Sequence, residues 1–591
     1  MKKQFFLLLI VFYSQCYTVN AQVVLQSNDK PLFKTIHQEK IFIHYNSSFL
    51  LTGETFYYKL YCLNRDTNVL SNLSKIAYVA LVDSDLNEVF KQKIKLESGL
   101  GQGDFFIPTS ILSGNYKIVA YTQWMCNAGE KVIFQEDISI VNPFNENQNG
   151  ILSKELDTLN SKAFEFVTTS NNDVSKIIKS NFVELLLDQN KFKNRQKVSL
   201  QLNSLKEEEE SSGNYSISVR KIQPFKTLKS TSSVEFSNFE MEKTDIANTT
   251  KNEIFLPELR GELISGTVVE KATNLPATNV KVSLSISGKE DDLFKMSTTN
   301  NLGQFYFNLL ENYKQPTATI QLLSDAEKYK INLNPEVSLT YSNLKFSDYK
   351  IDTSISDFIL KQSINNQIEN AYGAVKPTEV EKVALDGTFY NSKEITFNLD
   401  DFTRFPTVKE TIVEVVDVVT LKHRKGKVFL DVIWANRTYD SGLLPLVLFD
   451  GIIIKDHNEI INYNANKIQQ IDVVREKYLY GTQIFEGIIS FSSINGDFSK
   501  LTSDDTAINV VLLKPLEHKK YFKQQYDGTD KLKRIPDYRT QLLWLPNVEL
   551  NAQTKDVSFF TSDVKGTFEI SLEGFTNKGK PVSLKEIIVV E

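Results

Sequence analysis

Histidine, cysteine and carboxylate side chains do much of the acid–base, nucleophilic and metal chemistry of proteins, so their spacing is the first test of function. The five histidines are scattered, with no HExxH pair and no Cys/His cluster of metal-ligand spacing: His37, His44, His423, His457 and His518. The chain also has no G-x-S-x-G nucleophile elbow and no Walker-type phosphate loop. The sequence therefore predicts a protein that is not an enzyme, with no catalytic residue, no cofactor and no bound metal.

Two groups of carboxylates were the remaining candidates for chemistry. Asp450 and Asp472 would make a general acid/base pair if they faced each other, but their sequence contexts are a turn and the end of a strand. Glu207–Glu210 is a run of four adjacent acids with no spaced partner, and such a run repels itself instead of surrounding a cation. We therefore predict structural roles for both aspartates and a solvated loop for the acidic run.

The N-terminus has the pattern of a secretory signal. Lys2 and Lys3 precede the apolar run "FFLLLIVFY" at 5–13, and "TVNAQ" supplies small residues before a cut after Ala21. The apolar run is shorter than the roughly 20 residues that span a bilayer, and no later segment approaches that length. The sequence predicts an exported protein, periplasmic, outer-membrane-associated or at the cell surface, with residues 1–21 as signal peptide and no membrane span of its own.

The three cysteines bear on export and redox state. Cys16 raises the alternative of lipidation, but the preceding "YSQ" is a poor match to the apolar-then-small pattern of lipoprotein cleavage sites. After cleavage at Ala21 only Cys62 and Cys126 remain. They are consistent with one disulfide in an oxidising compartment and equally with two isolated thiols, so the sequence leaves the pairing open.

Length and charge narrow the class of protein. A chain of 591 residues is too long for one hydrophobic core. Removal of Lys2 and Lys3 with the signal leaves 65 basic residues (67 − 2) against 73 acidic ones, a net charge of −8. Nucleic acids attract clustered lysine and arginine, so this balance argues against a nucleic-acid partner.

Alternation of apolar and polar residues dominates residues 39–143 and predicts short antiparallel strands. In "TFYYKLYCL", two sets of residues point to opposite faces: Phe56, Tyr58, Leu60 and Cys62 on one, and Tyr57, Lys59 and Tyr61 on the other. Similar patterns recur along the chain. The predicted fold class is mainly β and multi-domain, with several immunoglobulin-like β-sandwiches and one small α+β unit.

Two stretches of the first unit, "EKIFIHYNSSFLLTGETFYYKLY" and "KLESGLGQGDFFIPTSILSGNYKIVAYTQWM", resemble the macroglobulin-like domains of secreted Bacteroidetes proteins. The resemblance implies such a sandwich at 22–148, and weaker strand patterns predict a second at 149–257. Protease-trapping macroglobulins carry a Cys-Gly-Glu-Gln thioester. Here "CNAGE" has Gly129 at the position of the reactive glutamine, so the comparison implies no covalent trapping.

The next segment, 258–340, resembles the carboxypeptidase regulatory-like sandwich of transthyretin type. The resemblance rests on Gly266, Pro276, the alternation from Val280 to Leu284, and "NLGQF" at 301–305. A linker region at 341–400 follows. It is expected to contain a helix at 355–372, where apolar residues recur at helical spacing. Thr407 and Glu410 then have the spacing of a capping box that begins a second helix.

Residues 445–493 contain four ordered pieces, "PLVLFDG", "KIQQIDVVR", "YG" and "GIISFSS". Their order resembles the plug domain of TonB-dependent outer-membrane receptors, which we place at 401–515. The plug motif assigns structural roles to five residues: Pro445, Asp450, Gly451, Gly481 and Gly487. A receptor barrel needs about 22 strands of about ten residues. Only 98 residues follow Ser493, and those at 516–591 are expected to form a C-terminal β module, so we expect no channel.

The whole order of units resembles composite secreted Bacteroidetes proteins that carry a plug-like domain without a barrel. This resemblance and the absence of catalytic motifs predict a non-enzymatic accessory subunit, bound on the periplasmic side to an integral outer-membrane β-barrel protein used for transport, secretion or barrel assembly. Arg475, Tyr480 and Phe485 are the partner-binding candidates, because arginine and aromatic residues dominate interface hot spots. The alternative is a stand-alone binder of peptide or glycan cargo for a TonB-dependent system; direct coupling to TonB is not expected.

Overall fold

A computed structural model of the chain describes 36–153, 178–239, 254–287, 293–310, 313–336, 339–381, 389–390, 394–424, 426–434, 442–481, 483–496, 498, 507–526, 530–551 and 553–591. The predicted signal peptide at 1–21 and Cys16 lie outside these residues. Strands far outnumber helices and pair into many small sheets, which confirms the predicted mainly β, multi-domain fold class. We name the four units sandwiches A, B and C and the α/β unit.

Sandwich A contains eight strands in chain order: β1 (Glu39–Tyr45), β2 (Phe49–Leu51), β3 (Thr55–Asn64), β4 (Ile76–Val82), β5 (Glu88–Lys95), β6 (Leu100–Phe106), β7 (Gly114–Tyr121) and β8 (Phe134–Val141). They form the sheets β1-β3-β6 and β2-β8-β7-β4-β5. Two 3-10 turns, Trp124–Ala128 and Glu130–Val132, precede β8. The side chains of Phe56, Tyr58, Leu60 and Cys62 on β3 lie in the core between the sheets, as their alternation predicts.

Sandwich B begins with β9 (Val183–Leu187), β10 (Lys191–Phe192), β11 (Lys197–Ser204) and β12 (Gly213–Lys221). The acidic run contains one turn of helix, α1 (Glu208–Ser211), where a loop was expected. Helix α2 (Ser233–Asn238) follows, and the Ser232 side chain and Glu235 form a capping box at its start.

Sandwich C contains β13 (Glu262–Glu270), β14 (Lys281–Ile286), β15 (Leu293–Thr298), β16 (Gln304–Leu309), β17 (Thr317–Leu322) and β18 (Tyr329–Leu333). Its sheets are β16-β13-β18 and β15-β14-β17.

After a 3-10 turn at Thr353–Ile355, helix α3 runs from Ser356 to Ala371, inside the range predicted for a helix. One of the apolar residues on which that prediction was based, Ile364, is exposed. Its buried face is partly polar: Ile359, Gln362, Ser363 and Asn366.

The α/β unit, 394–493, follows a 3-10 turn (Gly373–Val375) and the short strand β19 (Glu379–Val380). Its strands are β20 (Glu394–Asn398), β21 (Val419–Arg424), β22 (Lys427–Val432), β23 (Leu446–Phe449), β24 (Ile452–Ile453), β25 (Ile468–Val474), β26 (Tyr478–Tyr480), β27 (Gln483–Phe485) and β28 (Ile488–Ser493). The central sheet has the order β20-β25-β28-β23-β24, and β21-β22 and β26-β27 are hairpins. Helices α4 (Val408–Glu414) and α5 (Asn458–Ile461) and two 3-10 turns, Leu399–Asp401 and Ala465–Lys467, complete the unit. The Thr407–Glu410 capping box is formed.

The chain after the α/β unit returns to each earlier unit in turn. The returning elements are β29 (Ile508–Val511), β30 (Pro515–Leu516), β31 (Lys519–Lys520), α6 (Asp530–Lys533), β32 (Gln541–Leu550), β33 (Thr554–Phe560), β34 (Gly566–Thr576) and β35 (Pro581–Val590). Strand β29 joins β17 of sandwich C, β30 joins β5 of sandwich A, and β31 pairs with β19. The last four strands complete sandwich B, in the sheets β10-β35-β34-β12-β32 and β33-β11-β9.

The sequence predicts two separate units, at 149–257 and at 516–591. In the structure these two ranges form one sandwich with one shared core. Strand β12 is hydrogen-bonded to β32 on one side and β34 on the other, so neither range has a complete sheet alone. Sandwich C, likewise, includes a strand from beyond 340. The result is a nested topology, with the α/β unit inserted into sandwich C and sandwich C inserted into sandwich B.

The outer face of β1 and β3 in sandwich A packs on sandwich B and not on solvent. The ring of Tyr57 stacks on that of Trp544 with centroids 6.0 Å apart, and Tyr61 Oη donates to the Glu573 carbonyl oxygen over 3.1 Å. Between them the ammonium of Lys59 donates to Asn547 Oδ1. Burial lowers the pKa of Lys59 to about 7, against the opposing effect of the Glu97 and Glu549 charges.

Glu54, which follows Gly53 in the turn before β3, is the point where three parts of the chain meet. Its carboxylate accepts hydrogen bonds from the Leu51 amide (3.0 Å), from Arg220 Nη2 on β12 (3.0 Å) and from Gln362 Nε2 on α3 (2.7 Å). Both ends of the Glu54–Arg220 ion pair are buried. A buried pair of this kind costs desolvation energy, but removing one partner leaves an uncompensated charge.

Substitution of Arg220 by Met tests whether this junction stabilises the molecule. We expect Arg220→Met to lower the free energy of unfolding by about 3–5 kcal/mol, because it leaves the Glu54 carboxylate buried without its cation. The measurement is urea unfolding followed by tryptophan fluorescence. The matched control is Lys229→Met, which removes one partner of the exposed Lys229–Glu235 pair and should cost about 0–1 kcal/mol. Equal effects of the two substitutions would contradict this role.

Candidate docking surface on the α/β unit

Asp450 and Gly451 form the tight turn between β23 and β24. Both have positive φ angles, +48° and +75°, which is the backbone of a type I′ hairpin turn and explains the Asp-Gly pair. The buried Asp450 carboxylate accepts hydrogen bonds from the Ser493 amide (2.7 Å), Ser493 Oγ (2.6 Å) and the Phe498 amide (3.0 Å). The carboxylate therefore ties the turn to the end of β28.

The same turn docks on sandwich C. Ser285 Oγ on β14 donates to the Gly451 carbonyl oxygen over 2.6 Å, and Ser287 Oγ donates to the Asp450 carbonyl oxygen. Asp472 is held elsewhere in the sheet, where it accepts from Thr396 Oγ1 (2.7 Å) and Gln470 Nε2 (2.9 Å). Each aspartate thus has its own set of donors, and these are structural contacts.

The two glycines of the predicted motif lie in different surroundings. Gly487 has φ +97°, and a Cβ atom there would lie 2.5 Å from the Val474 carbonyl oxygen and 3.0 Å from Val432 Cγ2. Gly481 has φ +60° at the end of β26, with no atom within 4 Å of such a Cβ. Close packing therefore requires glycine at 487, whereas only the backbone conformation favours it at 481.

The hairpin β26–β27 has an inner, aromatic face that packs on sandwich C. Tyr480 Oη donates to the Phe294 carbonyl oxygen on β15 over 2.8 Å, and the two rings lie 5.5 Å apart. Phe485 packs in the same cluster as Phe294 and Leu446. Two of the three residues predicted to bind a partner, Tyr480 and Phe485, are therefore occupied by an internal contact.

The outer face of the hairpin presents two aliphatic side chains. Leu479 and Ile484 are directly opposite one another across the two strands, with exposed fractions of 66% and 47%. Arg475, the third predicted residue, lies at the base of the hairpin, is half-buried, and donates from Nε to the carbonyl oxygen of the exposed Ile433 over 2.7 Å. We call Ile433, Arg475, Leu479 and Ile484 the hairpin surface.

Leu479 and Ile484 were not predicted as contact residues. The alternation in "YLYGTQIF" indicates that Tyr478 and Tyr480 share one face and Leu479 the other. It does not say which face is buried, because the residues that cover the aromatic face, Phe294 and Phe389, are far away in the sequence. Tyrosine rings bury a large area, and their hydroxyl groups can still find a hydrogen-bond partner when buried. This was the one available signal for an inward orientation.

A cleft of about 550 Å³ lies between sandwich C and the α/β unit, next to the hairpin. Pro445, Phe485 and Tyr329 contribute to its walls, and the Lys281 ammonium donates to Gln483 Oε1 across it. His457 also lines the cleft; its Nδ1 accepts from the Leu430 amide over 3.0 Å, and burial lowers its pKa to about 4 despite the nearby Asp456. The imidazole is therefore neutral at pH 7.

Cys62 and Cys126 are both buried, and no disulfide joins them. Cys62 lies in the core of sandwich A, whereas Cys126 packs on the opposite, outer face of the β4–β7 sheet, so the sheet separates the two thiols. Burial, reinforced by the Glu39 carboxylate, raises the pKa of Cys62 well above its ordinary value. In the parts of the chain that the structure describes, no three His, Cys, Asp or Glu side chains are grouped so as to hold a metal ion.

The likenesses of this chain to known proteins are to solved structures. No family model and no curated protein matches the sequence. Similar structures include Escherichia coli alpha-2-macroglobulin activated by porcine elastase (9% identity, TM-score 0.23), its native conformation (10%, 0.24) and Salmonella alpha-2-macroglobulin reacted with methylamine (9%, 0.23). Each match covers 94% of this chain but 44%, 40% and 39% of the other chain, so this chain spans roughly two fifths of their length. Likenesses of this degree carry no information on activity.

One structural finding concerns membranes. Among the residues that the structure describes, no helix combines the length and the apolar character that crossing a bilayer requires.

Two alanine substitutions test the packing at the motif glycines. We expect Gly487→Ala to lower the melting temperature of the protein strongly, because the added methyl group meets the Val474 carbonyl in a backbone conformation that already disfavours alanine. Gly481→Ala is the matched control and should cost about 1–2 kcal/mol, the price of a positive φ alone. Both are measured by thermal unfolding, and a Gly487→Ala protein as stable as Gly481→Ala would refute the steric argument.

Proposed function

We propose that this protein is exported and serves as a non-enzymatic accessory subunit, bound on the periplasmic side of the outer membrane to an integral β-barrel protein. The observation that supports the proposal is the hairpin surface. An exposed pair of aliphatic residues on a two-stranded projection is a feature that water disfavours and that a protein partner would cover. The signal-like N-terminus supports the export that the proposal needs.

The hairpin is suited to docking because it is held in place before a partner arrives. Tyr480 and Phe485 anchor its inner face to sandwich C, and the Asp450–Gly451 turn fastens the same two units. A projection that is already ordered loses little conformational entropy on binding, so more of the contact energy appears as affinity. Arg475, at the base of the hairpin, adds a cation of a residue type that is enriched at interface hot spots.

The proposal predicts that the outer face of the hairpin, not its aromatic face, controls assembly. The double substitution Leu479→Gln with Ile484→Thr should remove the partner from an affinity pull-down of tagged protein out of gently solubilised outer membranes, because it removes the exposed apolar contact. Both side chains face away from the core, so the melting temperature should stay within about 2 °C of the wild type.

The matched control is Leu112→Gln with Leu275→Thr, two residues of similar exposure on sandwiches A and C. This variant should recover the partner as the wild type does. Phe485→Ala is a poor probe, because it opens the junction with sandwich C and alters the fold. Recovery of the same barrel protein by the hairpin variant would refute this surface. Recovery of the wild-type chain alone in the soluble fraction would favour the stand-alone binder of peptide or glycan cargo.

A further inference from the structure

A second cleft, of about 460 Å³, lies on sandwich B and shares no lining residue with the hairpin surface. Its walls are the facing edges of β32 and β33 and the chain segment at 523–525. Strand β33 is the last strand of the sheet β33-β11-β9, so one of its edges has no neighbouring strand among the described residues. An open strand edge is a template for a further strand.

The register of β33 identifies which of its backbone groups face the cleft. The Thr561 amide donates to the Gln196 carbonyl oxygen, and the Ser204 amide donates to the Gln553 carbonyl oxygen. Antiparallel pairs alternate, so the odd-numbered residues of β33 bond to β11 and the even-numbered ones turn their N–H and C=O groups outward. The even-numbered residues that line the cleft are Asp556, Ser558 and Phe560.

Most of these outward groups lack a partner. The Phe560 carbonyl oxygen accepts from Arg539 Nη2 over 3.2 Å, whereas the amides and carbonyls of Asp556 and Ser558 have no hydrogen-bond partner among the described residues. Beside them lies Gln524, whose side chain is 4% exposed and whose Oε1 atom accepts no hydrogen bond there. A buried acceptor of this kind needs a donor, and a backbone N–H of a bound chain would supply one.

The charge in the cleft is positive, although the protein as a whole is acidic. Lys197, Lys523 and Lys555 line it, and none of the three has an ion-pair partner in the described part of the chain. Desolvation and the neighbouring Lys555 charge lower the pKa of Lys523. Asp556 is the one carboxylate among the described residues that line the cleft, and Gln201 Nε2 donates to it over 3.0 Å.

We propose that this cleft binds an extended acidic peptide segment, which adds a strand to the outer edge of β33 and places its carboxylates against the three lysines. The backbone of the segment pairs with Asp556 and Ser558, and one of its amides donates to Gln524. Main-chain pairing provides affinity in strand addition and side chains provide selectivity, here for negative charge. Residues 556–560 offer room for about five residues of an antiparallel partner at about 3.4 Å per residue. The proposal does not depend on the hairpin surface.

The test uses the mature protein and a fluorescein-labelled peptide of alternating valine and glutamate, nine residues long, with binding followed by anisotropy. We expect binding that weakens as salt is raised, and protection of the Asp556 and Ser558 amides from hydrogen exchange. The triple substitution Lys197→Glu, Lys523→Glu and Lys555→Glu should weaken binding at least tenfold. The control is the triple Lys345→Glu, Lys361→Glu and Lys409→Glu, which makes the same charge change at exposed lysines outside the cleft and should bind the peptide as the wild type does.

Two further arms separate strand addition from simple charge attraction. Ser558→Pro removes one outward N–H at an edge position that tolerates proline, and should weaken binding at least tenfold with all lysines present. A peptide N-methylated at alternate residues should lose binding in the same way and leaves the protein unchanged. Binding that survives both changes would overturn strand addition, as would no binding at all. Tighter binding of an oligogalacturonate than of the peptide, unaffected by Ser558→Pro, would assign the cleft to an anionic glycan instead.

Discussion

Strand β12 is the element on which the rest of the structure depends. It is an inner strand of the larger sheet of sandwich B, and both of its neighbours, β32 and β34, come roughly 300 residues or more later in the chain. The strands that complete sandwich B therefore follow sandwich C and the α/β unit in the chain. The entropy of closing such a loop grows slowly with its length, so the long insertion is compatible with a stable sandwich. The insertion also separates β12 from its partner strands by a long stretch of sequence. Contacts between residues so distant in sequence slow folding.

The closing of sandwich B also determines which surfaces remain available. It covers the outer face of sandwich A, where Tyr57 and Tyr61 meet strands β32 and β34, and it brings Arg220 to the buried carboxylate of Glu54. Helix α3 completes that junction with Gln362. The α/β unit is in turn fastened to sandwich C by its Asp450–Gly451 turn and by Tyr480. The hairpin surface and the cleft beside β33 are apolar and charged features that these contacts leave open.

Local features of the fold could be predicted from the sequence, because they depend on residues that are close together in the chain. The alternation in β3 identifies its core face, and Thr407 with Glu410 identifies the start of α4. Features that depend on residues far away in the chain could not be predicted from the sequence. The second face of β3 has the mixed composition of a solvent-facing strand, yet Trp544 and Asn547 cover it. The assignment of residues 149–257 and 516–591 to one sandwich needs the pairing of β12, which no local pattern reveals.

The same distinction applies to the candidate site. Asp-Gly is a strong local signal for a type I′ turn, so Asp450 and Gly451 were recognisable as a turn. Residue type alone predicts Tyr480 and Phe485 as partner contacts, whereas in the structure both pack in a cluster that contains Phe294 of sandwich C and Phe389. The exposed residues of the hairpin, Leu479 and Ile484, follow only from knowing which face Phe294 covers.

The most direct test of the account is photo-crosslinking in living cells that make the protein, with a photoreactive amino acid placed in turn at positions 479 and 480. The account predicts a single dominant adduct with an integral outer-membrane protein from position 479. It predicts no such adduct from position 480, because that side chain faces sandwich C. Equal adducts from both positions, or none from position 479, would contradict the claim that this protein docks through the outer face of its β26–β27 hairpin.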